Sequence, residues 1–460
     1  MTEIRTRQRA ASSLSDSDVS CADAESASLL PVNCAINSTD RVTPPHDKFK
    51  VVYIIFYLLG VGTLLPWNMF ITAKGYFIYQ LRNSTMPASE YQEAQTTLQL
   101  SYESAIAVSN MVPNLLLQVA NTSLAGRVSI NKRIVGSLVV MILTFLVTLI
   151  FTKLNVVAWQ SGFYAVTIIT VILSSAASAL LSSSLFGLAA RFPQQHIQAV
   201  MGGMGLGGVF SAVAELIVLS VGSSVTASAF WYFFLAVLVL ILAILSYFLL
   251  LNLDYAKHYQ GQDEVMIIVE RPVSTAKGFF SQYLKILRLI WPYALSVVLV
   301  FFVTLAMFPS ITSEVQSVNH GSSNWTDKYF IPLYCFLLFN CGDLAGRMSA
   351  AYFSLPKPRI SILFLSIIRL VFIPLFIMCN AQPRNNLPVW FNSDVYPIII
   401  MVVFSLSNGY LSTLALMHAP ALVSKQQSEL TGSLMALSMT VGLSLGSAVS
   451  YGFVILVKTM

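Results

Sequence analysis

Apolar residues along this chain run in long blocks separated by short polar intervals. About eleven blocks reach the ~20 residues a helix needs to cross a bilayer. They cover 51–73, 102–124, 134–152, 162–188, 198–221, 229–252, 289–311, 328–352, 360–380, 395–418 and 430–457. Block 102–124 is the most polar, interrupted by Asn110, Asn114, Gln118 and Asn121. The pattern predicts an all-α integral membrane protein. The longest internal polar interval, 253–287, divides six blocks from five. That spacing predicts an N-terminal six-helix bundle over 48–252, a cytosolic loop over 253–287 and a C-terminal five-helix bundle over 288–460. Two bundles with a substrate path between them are typical of secondary transporters. Residues 1–47 are Ser-, Asp- and Thr-rich without an apolar core, which predicts a disordered tail rather than a cleavable signal. The first span is then expected to serve as the insertion signal.

Composition strengthens the membrane reading. The chain is 56% hydrophobic and 10% charged, where soluble domains carry about 25% charged residues. The net charge of +6 does not point to nucleic acid, because no basic cluster alternates with aromatics on a polar segment. Its distribution sets an orientation instead. With a cytosolic N-terminus, twelve Lys or Arg fall in cytosolic loops (among them Lys132, Arg133, Arg191, Lys285 and Arg288) and six on the other side. This bias predicts a cytosolic N-terminus and an exoplasmic C-terminus. The sequons at Asn83 and Asn324 land in loops this orientation places outside or in a lumen, whereas the Asn37 sequon lies in the cytosolic tail. Cys21, Cys34, Cys335, Cys341 and Cys379 are not expected to form a disulfide framework. The five His are scattered, so neither a metal nor a cofactor is expected. No HExxH or GxSxG motif is present, and an enzyme is not expected.

Candidate chemistry lies inside the apolar blocks, where charge is costly and normally faces a bundle interior. Asn340, Asp343 and Arg347 share one helical face by their spacing. They would either hydrogen-bond a polar solute or lock helices together as a structural pair. Glu215 is either a protonatable acid or a neutral group bonded to a neighbouring helix. Glu429, at the mouth of the last span, is expected to be solvated and is the second candidate for protonation. Arg369 is expected to pack or snorkel, with no role assigned. Pro66 breaks the hydrogen-bond ladder of the first span, and Trp67 beside it either stacks on a flat solute or belongs to the interfacial belt. The glycine run 202–208 lacks the Lys-Ser/Thr of a phosphate loop and reads as close helix packing, as do Gly342/Gly346 and Gly442/Gly446. Ser182, Ser183 and Ser184 place hydroxyls at membrane depth, for solute or for their own backbone.

From residue 48 onward the chain resembles the equilibrative nucleoside transporters. The resemblance rests on Gly62-Thr63-Leu64-Leu65-Pro66-Trp67-Asn68, on Phe339-Asn340 with Asp343 and Gly346-Arg347, on Cys379-Asn380 with Pro383-Arg384, and on Ser407-Asn408-Gly409-Tyr410-Leu411. It implies eleven helices in a major-facilitator-like fold that moves a small-molecule nucleoside, or a nucleobase, down its gradient by alternating access. It also implies that Trp67, Met111, Ser182, Ser184, Phe336, Asn340, Asp343, Arg347 and Leu443 line the cavity. Asp343 and Arg347 would bond ribose hydroxyls, and Trp67, Met111 and Leu443 would enclose the base. Ser182 stands where plasma-membrane members often carry Gln, so the chain is more similar to the lysosomal branch. Met204 stands where the organic-cation branch has an acid. Glu25, Leu29 and Leu30 fit an acidic dileucine sorting signal for an adaptor, so residence is expected in the plasma membrane or in lysosomes and late endosomes. The alternative function is proton-coupled nucleoside symport in an acidic organelle.

Overall fold

A proline inside a helix removes one ladder bond, for Pro66 the one to the Gly62 carbonyl, and a neighbouring helix bonds the adjacent carbonyl. The Ser178 hydroxyl donates to the Thr63 carbonyl at 2.5 Å, one turn before Pro66. The helix continues across the proline without interruption. Its start is held by Asp47, whose carboxylate accepts from the amides of Val52 and Tyr53 at 3.1 and 3.3 Å.

The computed structural model describes residues 45–83, 96–124, 128–221, 225–267, 276–323, 325–353, 359–382, 384 and 388–459. Its helices are α1 (Val51–Thr72), α2 (Lys74–Gln80), α3 (Thr97–Leu124), α4 (Ile130–Phe151), α5 (Gln160–Ala189), α6 (Gln195–Val221), α7 (Val225–Asn252) and α8 (Asp254–Ile267). They continue with α9 (Ala276–Met307), α10 (Leu338–Tyr352), α11 (Arg359–Ile368), α12 (Phe372–Ile377), α13 (Val395–His418) and α14 (Lys425–Thr459). A π-helical turn, Pro332–Leu337, leads into α10. Among the described residues, nine helices are long and apolar enough to cross a membrane. Outside that set, α3 carries the polar side chains noted above, and α10 is short and carries Asp343 and Arg347.

Within His46–Met460, α1 packs on α5, α6 and α7, and α4 packs on α5 and α7. In the second half α9 packs on α13 and α14, and α10 packs on α13. The halves meet where α6 packs on α10 and α13, and where α14 packs on α3 and α5. Leu143, Ile150, Leu242 and Leu245 point outward, as a lipid-facing surface requires. Buried hydroxyls such as Thr144, Thr148 and Thr167 donate to their own helix.

One expectation is corrected. The interval 253–287 is not mainly loop, because α8 fills its first part and α9 begins at Ala276. Lys, Gln, Tyr and Leu are adequate helix formers, and a helix leaving the bilayer keeps its backbone bonds while its side chains turn polar. Hydropathy marks where a span ends and not where its helix ends.

Glycine sets the helix separations. A Cβ added to Gly203 would overlap the Tyr57 carbonyl oxygen, and one on Gly346 would overlap the Leu406 carbonyl oxygen. Both contacts are backbone to backbone, so no side chain can move aside. Gly203→Ala is therefore expected to cost about 3 kcal/mol or more. Gly136 has no atom within 4 Å of such a Cβ, and Gly136→Ala should be neutral or slightly stabilising. Thermal unfolding in detergent checks the pair, and equal midpoints would remove the packing account.

Candidate functional site

The site is built on α10, where four-residue spacing stacks Asp343 below Arg347. Arg347 Nε donates to Asp343 Oδ2 at 2.7 Å. Asp343 Oδ1 accepts from Asn408 Nδ2 of α13 at 2.6 Å. Across the α6–α10 boundary, Arg347 Nη1 donates to the Met201 carbonyl at 3.1 Å. Gln198 of α6 donates to the Arg347 carbonyl at 3.4 Å and accepts from the Tyr53 hydroxyl of α1 at 2.7 Å. The pair is each 4% exposed. It therefore lies between the two halves, but this conformation closes α6 over it.

The glycine run of α6 makes room for these side chains. Gly205 meets Arg347 Cδ, with 3.1 Å left for an added Cβ, and Gly208 lies against the Asn340 amide oxygen. Asn340 donates to its own backbone at Phe336, 2.8 Å away. Its oxygen thus turns to α6 while its nitrogen is spent inside α10. Phe336 is half-buried and meets Phe308 edge-on at 5.9 Å. Trp67, Met111 and Leu443 are also half-buried, on α1, α3 and α14.

The serines of α5 divide. Ser183 accepts from Asn121 Nδ2 at 2.6 Å. Ser182 Oγ and Ser184 Oγ are buried without a partner among the described residues, so they do not bond their own helix. Asn68 Nδ2 is likewise buried and unpartnered, 3.8 Å from where a Cβ on Gly207 would sit. Unsatisfied buried donors are uncommon and call for an explanation; a polar solute would be one.

The two acids outside α10 differ. Glu215 on α6 is half-buried, with no hydrogen-bond partner among the described residues. Glu429, expected in water, is instead held by two guanidiniums. Arg133 Nη2 of α4 donates to its Oε1 at 2.5 Å, and Arg191, beyond α5, donates to Oε2. Arg133 was expected in a loop, but it lies within α4 and is buried. The helix begins before the apolar block does, which brings this cation under α14. Arg133 also reaches Asn121 Oδ1 at 3.2 Å.

Of the two alternatives for Arg369, the structure shows packing. Arg369 neither snorkels nor meets lipid. It is 2% exposed at the turn Arg369–Val371 between α11 and α12, and it joins the Asp343 network through Thr304. A charged residue central to an apolar block was the one available signal. Asn83 is exposed, as a sequon requires. Asn324, Glu25, Leu29 and Leu30 lie outside the described residues. Among the described residues no group of His, Cys, Asp or Glu could hold a metal.

Comparison with solved structures shows the fold. The proton:xylose symporter XylE, bound to 6-bromo-6-deoxy-D-glucose, superposes with a TM-score of 0.57 at 11% identity, covering 89% of this chain and 90% of that one. The human organic anion transporter MFSD10 (TETRAN) gives 0.56 at 13% identity, covering 89% and 95%. The helix arrangement is thus major-facilitator-like. The description Nucleoside transporter fits residues 168–455 as a family. Equilibrative nucleoside transporter 3 of Rattus norvegicus is 37% identical over 422 residues, 88% of this chain and 89% of its own. Equilibrative nucleoside transporter 1 of Homo sapiens is 35% identical over 452 residues, 89% and 98%. The chain belongs to the nucleoside transporter family, and is a multi-pass membrane transporter rather than an enzyme.

Proposed function

We propose that the protein is a facilitative carrier of nucleosides, and of nucleobases, working by alternating access. The observation that carries this reading is the buried Asp343–Arg347 pair at the α6–α10 boundary, with spare hydrogen-bonding capacity. Asp343 has one bond on each carboxylate oxygen, which leaves a lone pair on each for ribose hydroxyls. Arg347 has donors beyond the two it uses. A buried site built to bond a hydroxyl rejects a solute lacking one. Trp67, Met111 and Leu443 supply apolar surface for a base, and Ser182, Ser184 and Asn68 supply donors or acceptors for its edge.

Opening requires the halves to separate at two places: the Arg347–Met201 bond and the Glu429–arginine clamp. In this proposal α3 and the Pro332–Tyr352 stretch also span, which gives eleven helices in a six-plus-five arrangement. The Lys/Arg bias supports a cytosolic N-terminus, which puts the Glu429 clamp on the cytosolic side. Residence is in the plasma membrane or in lysosomes and late endosomes, the latter directed by the Glu25–Leu30 segment.

The test uses purified full-length protein in liposomes with tritiated uridine and adenosine. Saturable uptake that equilibrates without accumulation, and that a protonophore leaves unchanged under an imposed pH gradient, is expected. Uptake no greater than in empty vesicles removes the proposal. Protonophore-sensitive accumulation replaces it with symport.

A further inference from the structure

Arg369 is a guanidinium enclosed in the second half, and among the described residues it forms no ion pair with any carboxylate. Such a cation is costly, so its placement needs a reason. Its acceptors are the Phe404 carbonyl at 2.9 Å, the Ser407 hydroxyl and the Thr304 hydroxyl at 3.0 Å. Phe404 also lies under it, with the ring centroid 4.9 Å from the guanidinium carbon. These contacts tie the α11–α12 turn to α13 and to α9.

The Thr304 contact leads further. Thr304 Oγ1 lies 2.7 Å from Asn408 Oδ1 and 2.7 Å from the Val300 carbonyl. Because Arg369 donates to that oxygen, the hydroxyl's own proton is directed outward to one of these two acceptors. Asn408 in turn donates to Asp343 Oδ1 at 2.6 Å. A chain of donors thus runs from a buried cation to a buried anion: Arg369 to Thr304, Thr304 to Asn408, Asn408 to Asp343. A cation at the head of such a chain polarises every bond toward the carboxylate at its end. It also favours the Asn408 orientation that presents NH2, rather than oxygen, to Asp343.

We infer that Arg369 is a positioning and specificity-determining residue, which acts through Thr304 and Asn408 to set how Asp343 receives the hydroxyls of a solute. The inference rests on the proposed nucleoside site. Arg369 touches no solute itself. Its effect is to hold one carboxylate oxygen in a fixed bond, so that the remaining lone pairs face one way. Loss of Arg369 leaves the hydroxyl of Thr304 free to turn to Val300 alone, and the Asn408 amide free to rotate away. Asp343 then remains paired to Arg347 but is less directed, and it should discriminate less against a solute lacking a hydroxyl.

The experiment measures uptake of uridine, 2′-deoxyuridine and 3′-deoxyuridine by full-length protein in liposomes. It compares wild type with Arg369→Lys, Arg369→Gln, Thr304→Val and the Arg369→Gln/Thr304→Val double variant. The readout is the ratio of kcat/KM for uridine to that for each deoxy analogue, which is independent of the amount of folded protein. Arg369→Gln and Thr304→Val are each expected to lower the ratio by about tenfold for at least one analogue, the size of a hydrogen bond to a charged group. Arg369→Lys should fall less. The double variant should match the worse single one, because both break one chain. If Arg369→Gln does not fold, Thr304→Val carries the same test, since valine keeps the volume and removes the hydroxyl. Variants that transport less but keep the wild-type ratios would overturn the inference and leave Arg369 a helix tie. Ratios that fall additively would overturn the single chain. A wild type with no uridine uptake removes the nucleoside site itself, and this inference with it, an outcome distinct from unchanged ratios.

Discussion

Asp343→Asn is expected to lower uptake of ribonucleosides by about a hundredfold or more at low concentration. Each hydroxyl bond to a charged group is worth about 1.5–3 kcal/mol, and each 1.4 kcal/mol is about tenfold; removing one partner of a buried pair also strands the other. Here the stranded partner is Arg347, 4% exposed and held otherwise by the Met201 carbonyl. The substitution also turns an acceptor toward Asn408 that is weaker than a carboxylate. A variant this damaged can fail to fold, so Arg347→Lys is the companion. It keeps the charge and loses the planar fork that reaches Asp343 and α6 together. Arg347→Lys should reach the membrane in wild-type amounts and still transport at least about tenfold more slowly. Tracer uptake normalised to protein in the vesicles decides the matter. Wild-type uptake by both variants would make the pair a structural bolt and end its role in solute binding.

The hydrophobic pattern carried most of the architecture, and the reason is physical. In lipid the backbone must satisfy itself, so an apolar block of sufficient length becomes a helix whatever its neighbours are. Spans read at 395–418 and 51–73 match α13 and α1 within a residue or two. The reading failed where a helix continued into water, as α9 does before its apolar core. Short α2 carries too few residues for any block to mark it.

Charged positions inside apolar blocks stood out in the sequence, but their partners did not. Asp343 and Arg347 are four apart on one helix, so their pairing follows from local geometry. Glu429 pairs with Arg133, which lies 296 positions earlier, and Arg369 reaches Thr304, 65 positions away. Nothing local distinguishes a carboxylate in water from one enclosed by a distant helix. Asn408 was visible in a motif, yet its bond to Asp343 appears only once α13 lies against α10. Gly409 makes that approach close, because a Cβ there would overlap the Asp343 carbonyl oxygen. Small residues therefore pointed to proximity, and the folded chain supplied the partner.

Glu429→Gln should loosen the contact between α14 and the first half. Its carboxylate is the only anion in a cluster that joins α14 to Arg133 of α4 and to Arg191, among the described residues. Ser433 of α14 donates to the Ser183 carbonyl of α5 at 3.2 Å, close to the Asn121–Ser183 bond. The glutamine leaves Arg133, whose side chain is 4% exposed, without its counter-charge. Losing one partner of such a pair costs the closed arrangement about 3–5 kcal/mol. The opening equilibrium would then shift by roughly a hundredfold or more. Since Glu429 keeps 17% of its side chain exposed, part of the attraction is screened, and the lower end of that range applies. The measurement is thiol labelling at Ser433→Cys, a buried position, with the native cysteines replaced. A membrane-impermeant reagent should label it at least about tenfold faster when Glu429→Gln is added. High salt should accelerate labelling modestly in the Glu429 background and hardly at all in the variant. Equal labelling rates with and without the carboxylate would show that the two arginines do not hold the halves together, and the clamp would be no part of the transport cycle.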